Sequence, residues 1–309
     1  MDDRVYWLAL QGYQHKIDVS SLPRIVKKFG SIEKFFLETP RNLKGIGWSE
    51  QQINRFYEYA KSFDLGKYIN LHSEIEGQNI RIITYLDKEY PEPLQNAVTN
   101  RFEPPILLLV KGSIGDLSKC IAIVGNRKAT ESALQNAYDI AYELASSGYT
   151  IASGLARGID RMAHLGALEA KNGRTISTLA WHNPVYPPEN AGLASEIEQR
   201  GAVISELLYS PNPEGDQFTR SQFVFRNRII SGISRSVIAV ESGASGGTIH
   251  QVEIAVAQKR PVYTLQPTNA SDVDKTRGYL EMIRKGAKQF ESVDAMLSFP
   301  QFRQAKLGV

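Results

Sequence analysis

From residue 121 onward the chain alternates short apolar runs with amphipathic ones. The runs at 121–124, 150–153, 175–179, 202–205, 237–240 and 262–265 are rich in β-branched residues, the pattern of strands buried on both faces. Most of the intervals between them carry helical spacing. In 131–147, Leu134, Ala137, Ala141 and Leu144 share one face with polar residues opposite. Buried strands separated by helices predict an α/β fold with a doubly wound, mostly parallel sheet over 119–298. In such a sheet ligands bind where the carboxyl ends of the strands turn into helices, so those turns are where chemistry is sought.

Residues 1–70 have apolar positions at helical spacing and little strand signal, which predicts a small all-helical domain. The stretch "LPRIVKKFGSIEKFF" breaks at Gly30. In "LKGIGWSEQQINRFYEYA", Gly45 and Gly47 form a tight turn and Ser49 is placed to cap the following helix. A helix, a Gly-x-Gly turn and a helix fit two structures. One is a helix-hairpin-helix element whose turn amides approach a DNA phosphate, and the other is a tight connection inside a small bundle. Residues 71–118 read as a connecting segment whose strands, in "IRIITYLDKEYP" and "PPILLLVKG", join the sheet of the following domain. Residues 299–309 read as a C-terminal tail.

Composition narrows the picture little. A formal charge of +3 permits an anionic partner without demanding one. The start Met1-Asp2-Asp3-Arg4 is not a signal peptide, and no run reaches the length of a membrane span. The single cysteine, Cys120, adjoins an apolar run and reads as a buried thiol; with five histidines, it leaves no cysteine-rich metal site. A reducing, cytoplasmic setting is the expectation.

The strand-end turns share one chemistry. The first is Gly125-Asn126-Arg127-Lys128-Ala129-Thr130, the second runs from Ser153 through Gly154, Arg157 and Gly158 to Asp160, and the fifth is "ESGASGGT" from Glu241 to Thr248. Glycines and hydroxyls near helix starts expose backbone amides to an anion, and arginine and lysine add charge. The stretch "FTRSQFVFRNRIISGISRS" interleaves Phe218, Phe223 and Phe225 with Arg220, Arg226, Arg228 and Arg235, and no acid stands between Gln217 and Val240. Arginines that track phosphates and aromatics that stack on unpaired bases would make this a single-strand binding element. Equally, the phenylalanines could be core and the arginines paired. The first turn lacks two of the three glycines of a dinucleotide loop, so a nicotinamide or flavin enzyme is excluded. No catalytic constellation is visible: His164 follows Asp160 by one helical turn and reads as a local hydrogen-bond partner, and His182 and His250 have no evident orienting group.

Taken together, these motifs resemble the DprA/Smf family of bacterial DNA-processing proteins over almost the whole chain. "YWLAL", "FGSIEKFF" and "LKGIG" resemble its N-terminal SAM- or helix-hairpin-helix-like domain, and "LDKEYPEPLQ" with "PPILLLVKG" resembles the entry to its Rossmann-like domain. "IAIVGNRKAT", "IASGLARGIDRMAHLGALEA", "VYPPEN" and "FRNRIISGISRSVIAVES" follow in family order and spacing. The resemblance implies a protein that binds single-stranded DNA, protects incoming strands in natural transformation, helps load the recombinase RecA and dimerises through the Rossmann-like domain. It implies no cofactor. Residue by residue, the family's Gly-Ser/Thr-Arg turn falls on Gly125, Asn126 and Arg127, its Gly-Leu-Ala-Arg-Gly-Ile-Asp motif on 154–160, its Arg-Asn-Arg on Arg226, Asn227 and Arg228, and its glycine loop on Ser245, Gly246 and Gly247.

The chain departs from the pattern at Asn126, expected to donate a hydrogen bond where relatives carry a hydroxyl, at Val224, and at Leu179-Ala180-Trp181-His182. It also ends before the winged-helix domain that many members carry. With Lys128, Ser153, Phe223 and Phe225 added from the loops themselves, these residues form the expected DNA site. The alternative is a nucleotide-binding or nucleotide-glycosidase-like enzyme of the related Rossmann-like proteins, suggested by Gly246-Gly247-Thr248 ahead of Glu253.

Overall fold

The computed structural model describes residues 2–13, 17–210 and 216–298, with side chains omitted for 216–220. The chain divides into two compact units. One contains residues 1–90 with Pro105–Leu109, and the other contains Pro91–Pro104 with residues 110–309. The tail expected at 299–309 lies outside the described residues.

The first unit holds helices α1 (Asp3–Gln11), α2 (Leu22–Phe29), α3 (Ile32–Phe36), α4 (Pro40–Leu43), α5 (Glu50–Ser62) and α6 (Leu65–Gly77), followed by strand β1 (Arg81–Thr84). Its core is aromatic: Phe35 stacks on Phe56 with ring centroids 4.3 Å apart, and Phe36 and Trp48 meet Phe56 edge-on. The turn between α4 and α5 places Gly45 at φ 88° and Gly47 at φ 91°, conformations that favour glycine. Ile46 between them is buried. Ser49 and Gln52 form the expected cap of α5 as a reciprocal capping box. Lys44 pairs with Glu50 at 2.9 Å, and the Lys28 ammonium donates to the carbonyls of Asn42 and Lys44.

The second unit contains α7 (Glu92–Gln95), the end of β2 (Leu107–Gly112), β3 (Cys120–Val124), α8 (Glu131–Ser146), β4 (Thr150–Ser153), α9 (Ile159–Glu169), β5 (Arg174–Thr178), α10 (Ala191–Arg200) and β6 (Ala202–Ser205). It continues with α11 (Asp216–Gly232), β7 (Ser236–Ala239), α12 (Gly247–Ala257), β8 (Val262–Thr264), α13 (Val273–Arg284), β9 (Lys288–Gln289) and α14 (Val293–Leu297). Within this unit the strand order runs β6-β5-β4-β3-β7-β8-β9. From β6 to β9 every pairing is parallel, with Ile121 opposite both Ile151 and Ser236.

The expected doubly wound sheet is therefore the observed one. It forms because the β-branched runs are too short and too apolar for anything but strands covered on both faces. Helices α8 and α9 cover one side, and they approach closely because Gly166 faces the Tyr138 backbone, where an added Cβ would meet the Tyr138 carbonyl oxygen at 2.2 Å. Cys120 is buried beside Ser234, and burial pushes its thiol pKa up to about 12.

His164 is fully enclosed on α9. Thr175 donates its hydroxyl proton to the Ile151 carbonyl at 2.7 Å, so its oxygen accepts from His164 Nδ1, also at 2.7 Å. That fixes the tautomer and leaves Nε2 as a buried acceptor with no partner. Burial, and secondarily the charge of Arg226, push the ring's pKa from 6.5 down to about 3. Across that window the unfolded chain binds a proton that the folded chain does not. The stability is thus complete above the unfolded value and falls as pH drops towards the folded one. At about pH 4.5 this ring costs about 2–3 kcal/mol relative to neutral pH. Denaturant unfolding at both pH values should show that loss in the wild type and a correspondingly shallower pH slope in His164→Gln; equal slopes would contradict it.

Candidate functional site

Strand order reverses between β3 and β7, which are parallel neighbours. The turns leaving their carboxyl ends border a cleft of about 2140 Å³, the position at which doubly wound sheets bind ligands. The cleft brings together Gly125, Asn126, Arg127 and Lys128 from the first turn with Ser245, Gly246 and Gly247 from the glycine loop. Phe223, Arg226 and Asn227 from α11 complete the set.

Three of the glycines expected to admit a phosphate serve instead to pack loops on one another. A Cβ on Gly125 would lie 2.5 Å from Ile159 at the start of α9, and one on Gly154 would lie 2.1 Å from the Arg226 guanidinium. Gly158 has φ 75°, and its Cβ would meet the Asn126 carbonyl oxygen at 2.3 Å. Gly247 has nothing within 4 Å, so its face is open. Helix α12 begins there with no side-chain cap, leaving first-turn amides at the cleft wall.

Charges divide by burial. Arg127 and Lys128 are exposed at the rim. Arg226 is buried at 6% exposure and donates to the carbonyls of Gly154 (2.8 Å) and Thr178. Burial lowers its pKa to about 10, against the pull of Asp160, so it stays charged at neutral pH. Asp160, also buried, accepts from the amides of Ala156 and Gly125; burial raises its pKa while Arg226 opposes the rise. One carboxylate thus holds together the turns after β3 and β4, and the Arg226 charge on α11 acts on it without a direct contact.

Helix α13 supplies a second tie that sequence reading missed. Lys275 lies 3.1 Å from Glu241, and with the Asn126 amide oriented to face its donors, Oδ1 accepts from Lys275 Nζ at 2.7 Å and from the Gly243 amide at 3.1 Å. Glu241 in turn accepts from the Thr130 hydroxyl at 2.6 Å, and Asp274 accepts from the Ala244 amide at 3.1 Å. The Asn126 oxygen, expected to stand aside for a donating amide, therefore holds the turn in place. Nothing local in the sequence links residues 274–275 to the turn at 125–130. Tyr186, Gln251 and His250 also line the cleft; His250 has a carboxylate neighbour after all, Glu253 at 3.4 Å.

The other expected site residues lie elsewhere. Ser153 is buried and donates to the Ile123 carbonyl at 2.6 Å. Arg157 is exposed but forms a doublet with Glu189, 3.0 Å for Nη2 to Oε2, beside a smaller depression of about 230 Å³ that shares Arg127, Tyr186 and Phe223 with the cleft. Arg228 is buried, paired with Glu206 at 2.8 Å and bonded to the Glu103 carbonyl. Phe225 is exposed under the Arg228 guanidinium, whose carbon sits 3.7 Å from its ring centroid, outside the cleft. Arg235 bonds the Ser118 carbonyl, and the side chains of Phe218 and Arg220 lie outside the described residues. The arginine cluster looked free of acids because Glu206 and Asp160 reach it through the fold and not along the chain.

Fold and cleft together define a doubly wound α/β protein with an open cleft at the strand-order reversal. The sequence pattern of the family described as DNA recombination-mediator protein A matches residues 81–301. DNA processing protein DprA of Bacillus subtilis is 34% identical over 220 residues, 70% of each chain. The X-ray structure of DNA processing protein A from Streptococcus pneumoniae superposes with a TM-score of 0.72 at 27% identity, covering 95% of this chain and 97% of that one. DNA processing protein A from Helicobacter pylori, described for its single-stranded DNA binding mode, gives a TM-score of 0.58 at 25% identity over 70% of this chain and 94% of that one. The chain belongs to the DNA recombination-mediator protein A family. Among the described residues no helix is long and apolar enough to cross a membrane, and no cluster of metal-ligating side chains occurs.

The glycine contacts set a stability test. Gly158→Ala should cost about 2–4 kcal/mol, from a strained φ and a backbone clash, whereas Gly247→Ala should stay within about 0.5 kcal/mol of wild type. Denaturant melts of both variants check this; equal losses would contradict the packing role of Gly158.

Proposed function

We propose that this protein binds single-stranded DNA in the cleft at the β3–β7 reversal, without chemistry, and that it protects incoming strands in natural transformation. The observation that carries this reading is the convergence on one cleft of exposed Arg127 and Lys128, the uncapped start of α12 and partly exposed aromatic rings. Phosphates are drawn to the cations and the helix start. Phe223, 5.6 Å from Tyr186 and 4.9 Å from the Arg127 guanidinium carbon, offers a face to an unpaired base that a duplex keeps stacked. The Helicobacter pylori relative, described for its binding of single-stranded DNA, supports the same ligand here.

Binding is favoured over catalysis because the carboxylates at the cleft are already engaged: Asp160 with backbone amides, Asp274 with the Ala244 amide. The family's description as recombination mediators supports delivery of the bound strand to RecA. A homodimer formed through the sheet-containing unit, and a cytoplasmic setting, belong to the same reading and rest on the resemblance.

Titration of labelled single-stranded and duplex oligonucleotides at rising salt tests the proposal. Affinity should favour the single strand and fall steeply with salt, and Arg127→Ala should weaken it by about 1–3 kcal/mol, or about 5- to 150-fold. Each lost phosphate contact should lower the salt slope by about 0.7. No preference for single strands, or unchanged affinity in folded Arg127→Ala and Lys128→Ala proteins, would overturn the assignment. Nucleoside monophosphates incubated with the protein should release no free base.

A further inference from the structure

The chain's positive charge is concentrated around the Gly45-Ile46-Gly47 turn of the first unit, which takes no part in the cleft. Residues 20–49 hold six basic side chains, Arg24, Lys27, Lys28, Lys34, Arg41 and Lys44, against two acidic ones, Glu33 and Glu38. That surplus of four exceeds the +3 of the whole chain, so the remaining residues are together slightly acidic. All six basic residues are exposed. Of the six, only Lys44 forms an ion pair among the described residues, with the exposed Glu50.

The turn gathers these cations. Helix α2 presents Arg24 and Lys28, one helical turn apart, to the two glycines. An added Cβ on Gly47 would lie 2.8 Å from Arg24 Nη1, and one on Gly45 would lie 3.9 Å from Lys28 Nζ. Lys27 stands beside them on α2, and Arg41 and Lys44 enter from α4 and its end. The frame is fixed without a ligand, because Ile46 is buried and Lys28 holds the carbonyls of Asn42 and Lys44. Like charges one helical turn apart repel, so unpaired cations on a rigid frame gain from a polyanion that neutralises them together.

We propose that this patch binds the phosphodiester backbone of DNA, giving the chain a second hold on nucleic acid in the unit that lacks the cleft. In a chain of the DNA recombination-mediator family, DNA is the polyanion at hand. The patch meets phosphates through charge alone, and such contacts carry no base information. It therefore accepts paired and unpaired strands alike, and duplex DNA, which the cleft disfavours, is the ligand that reports it. The single-strand reading of the cleft is a separate claim on which this one does not depend.

Titration of the full chain with duplex DNA at low and rising salt tests this, beside single strands of equal length. The wild type should bind the duplex, more weakly than the single strand. Arg24→Ala/Lys27→Ala/Arg41→Ala should lower duplex affinity roughly tenfold or more and reduce the salt slope by about 0.9 for each lost phosphate contact. Removing three exposed cations elsewhere in the same unit, as Lys61→Ala/Lys67→Ala/Lys88→Ala, should cost several-fold less. Arg127→Ala/Lys128→Ala, altered only at the cleft, should keep wild-type duplex affinity. Single Lys27→Ala and Arg41→Ala proteins should each show their own share of the slope, so the comparison stands even if the triple variant melts early. A wild type that binds no duplex, equal losses in the two triple variants, or duplex binding that disappears with the cleft variant would overturn the patch. Capture by anionic phospholipid vesicles without duplex binding would overturn it as well. The single-strand preference read in the same titrations judges the cleft separately.

Discussion

The cleft depends on one close approach: the turn after β3 lies against the start of α9 at a distance that no side chain on Gly125 or Gly158 would permit. Ile159 fills the place of the missing Gly125 Cβ, and Gly158 sits under the Asn126 carbonyl oxygen. Because the two segments touch through backbone, the first turn cannot fold back over the strand ends, and Arg127 and Lys128 are carried out to the rim. Glycine therefore acts here by allowing protein to meet protein. Access for a ligand is a consequence found at Gly247, where the space stays open.

Around that contact, charge is divided into a structural set and an available set. Asp160 joins the turns after β3 and β4 through their amides, and Lys275 with Glu241 joins the first turn to α13. Buried charges of this kind hold their surroundings rigidly, since removing one partner leaves the other unpaired in a low-dielectric setting. Exposed Arg127 and Lys128 carry no such duty and can meet a polyanion with little change elsewhere. A cleft whose walls are fixed by buried pairs and whose rim is cationic loses less on binding, because its groups are already oriented.

The same division explains why basic residues clustered in sequence need not act together. Arg226, Arg228 and Arg235 lie within ten residues of one another, yet they bond to the carbonyls of Gly154, Glu103 and Ser118 at separate places in the fold. An amphipathic helix sends neighbouring residues to different faces, so Arg226 and Arg228 part along α11, and Arg235 lies beyond the helix end. Phe223 and Phe225 diverge for the same reason, one into the cleft and the other to the surface beneath Arg228.

The sheet was legible in the sequence, since short β-branched runs alternating with amphipathic stretches admit few other folds, and the cleft opens at the carboxyl ends of its strands. The cap of α5 by Ser49 and Gln52 was equally local, and so could be read from spacing. What tertiary structure decided was which loop residues face the cleft. Local pattern could not show that Glu206 would neutralise Arg228, or that α13 would bring Lys275 beneath Asn126. Hydrophobic periodicity encodes which face is buried, whereas a polar partner depends on residues far apart in the chain, brought to hydrogen-bond distance only once the strands have paired.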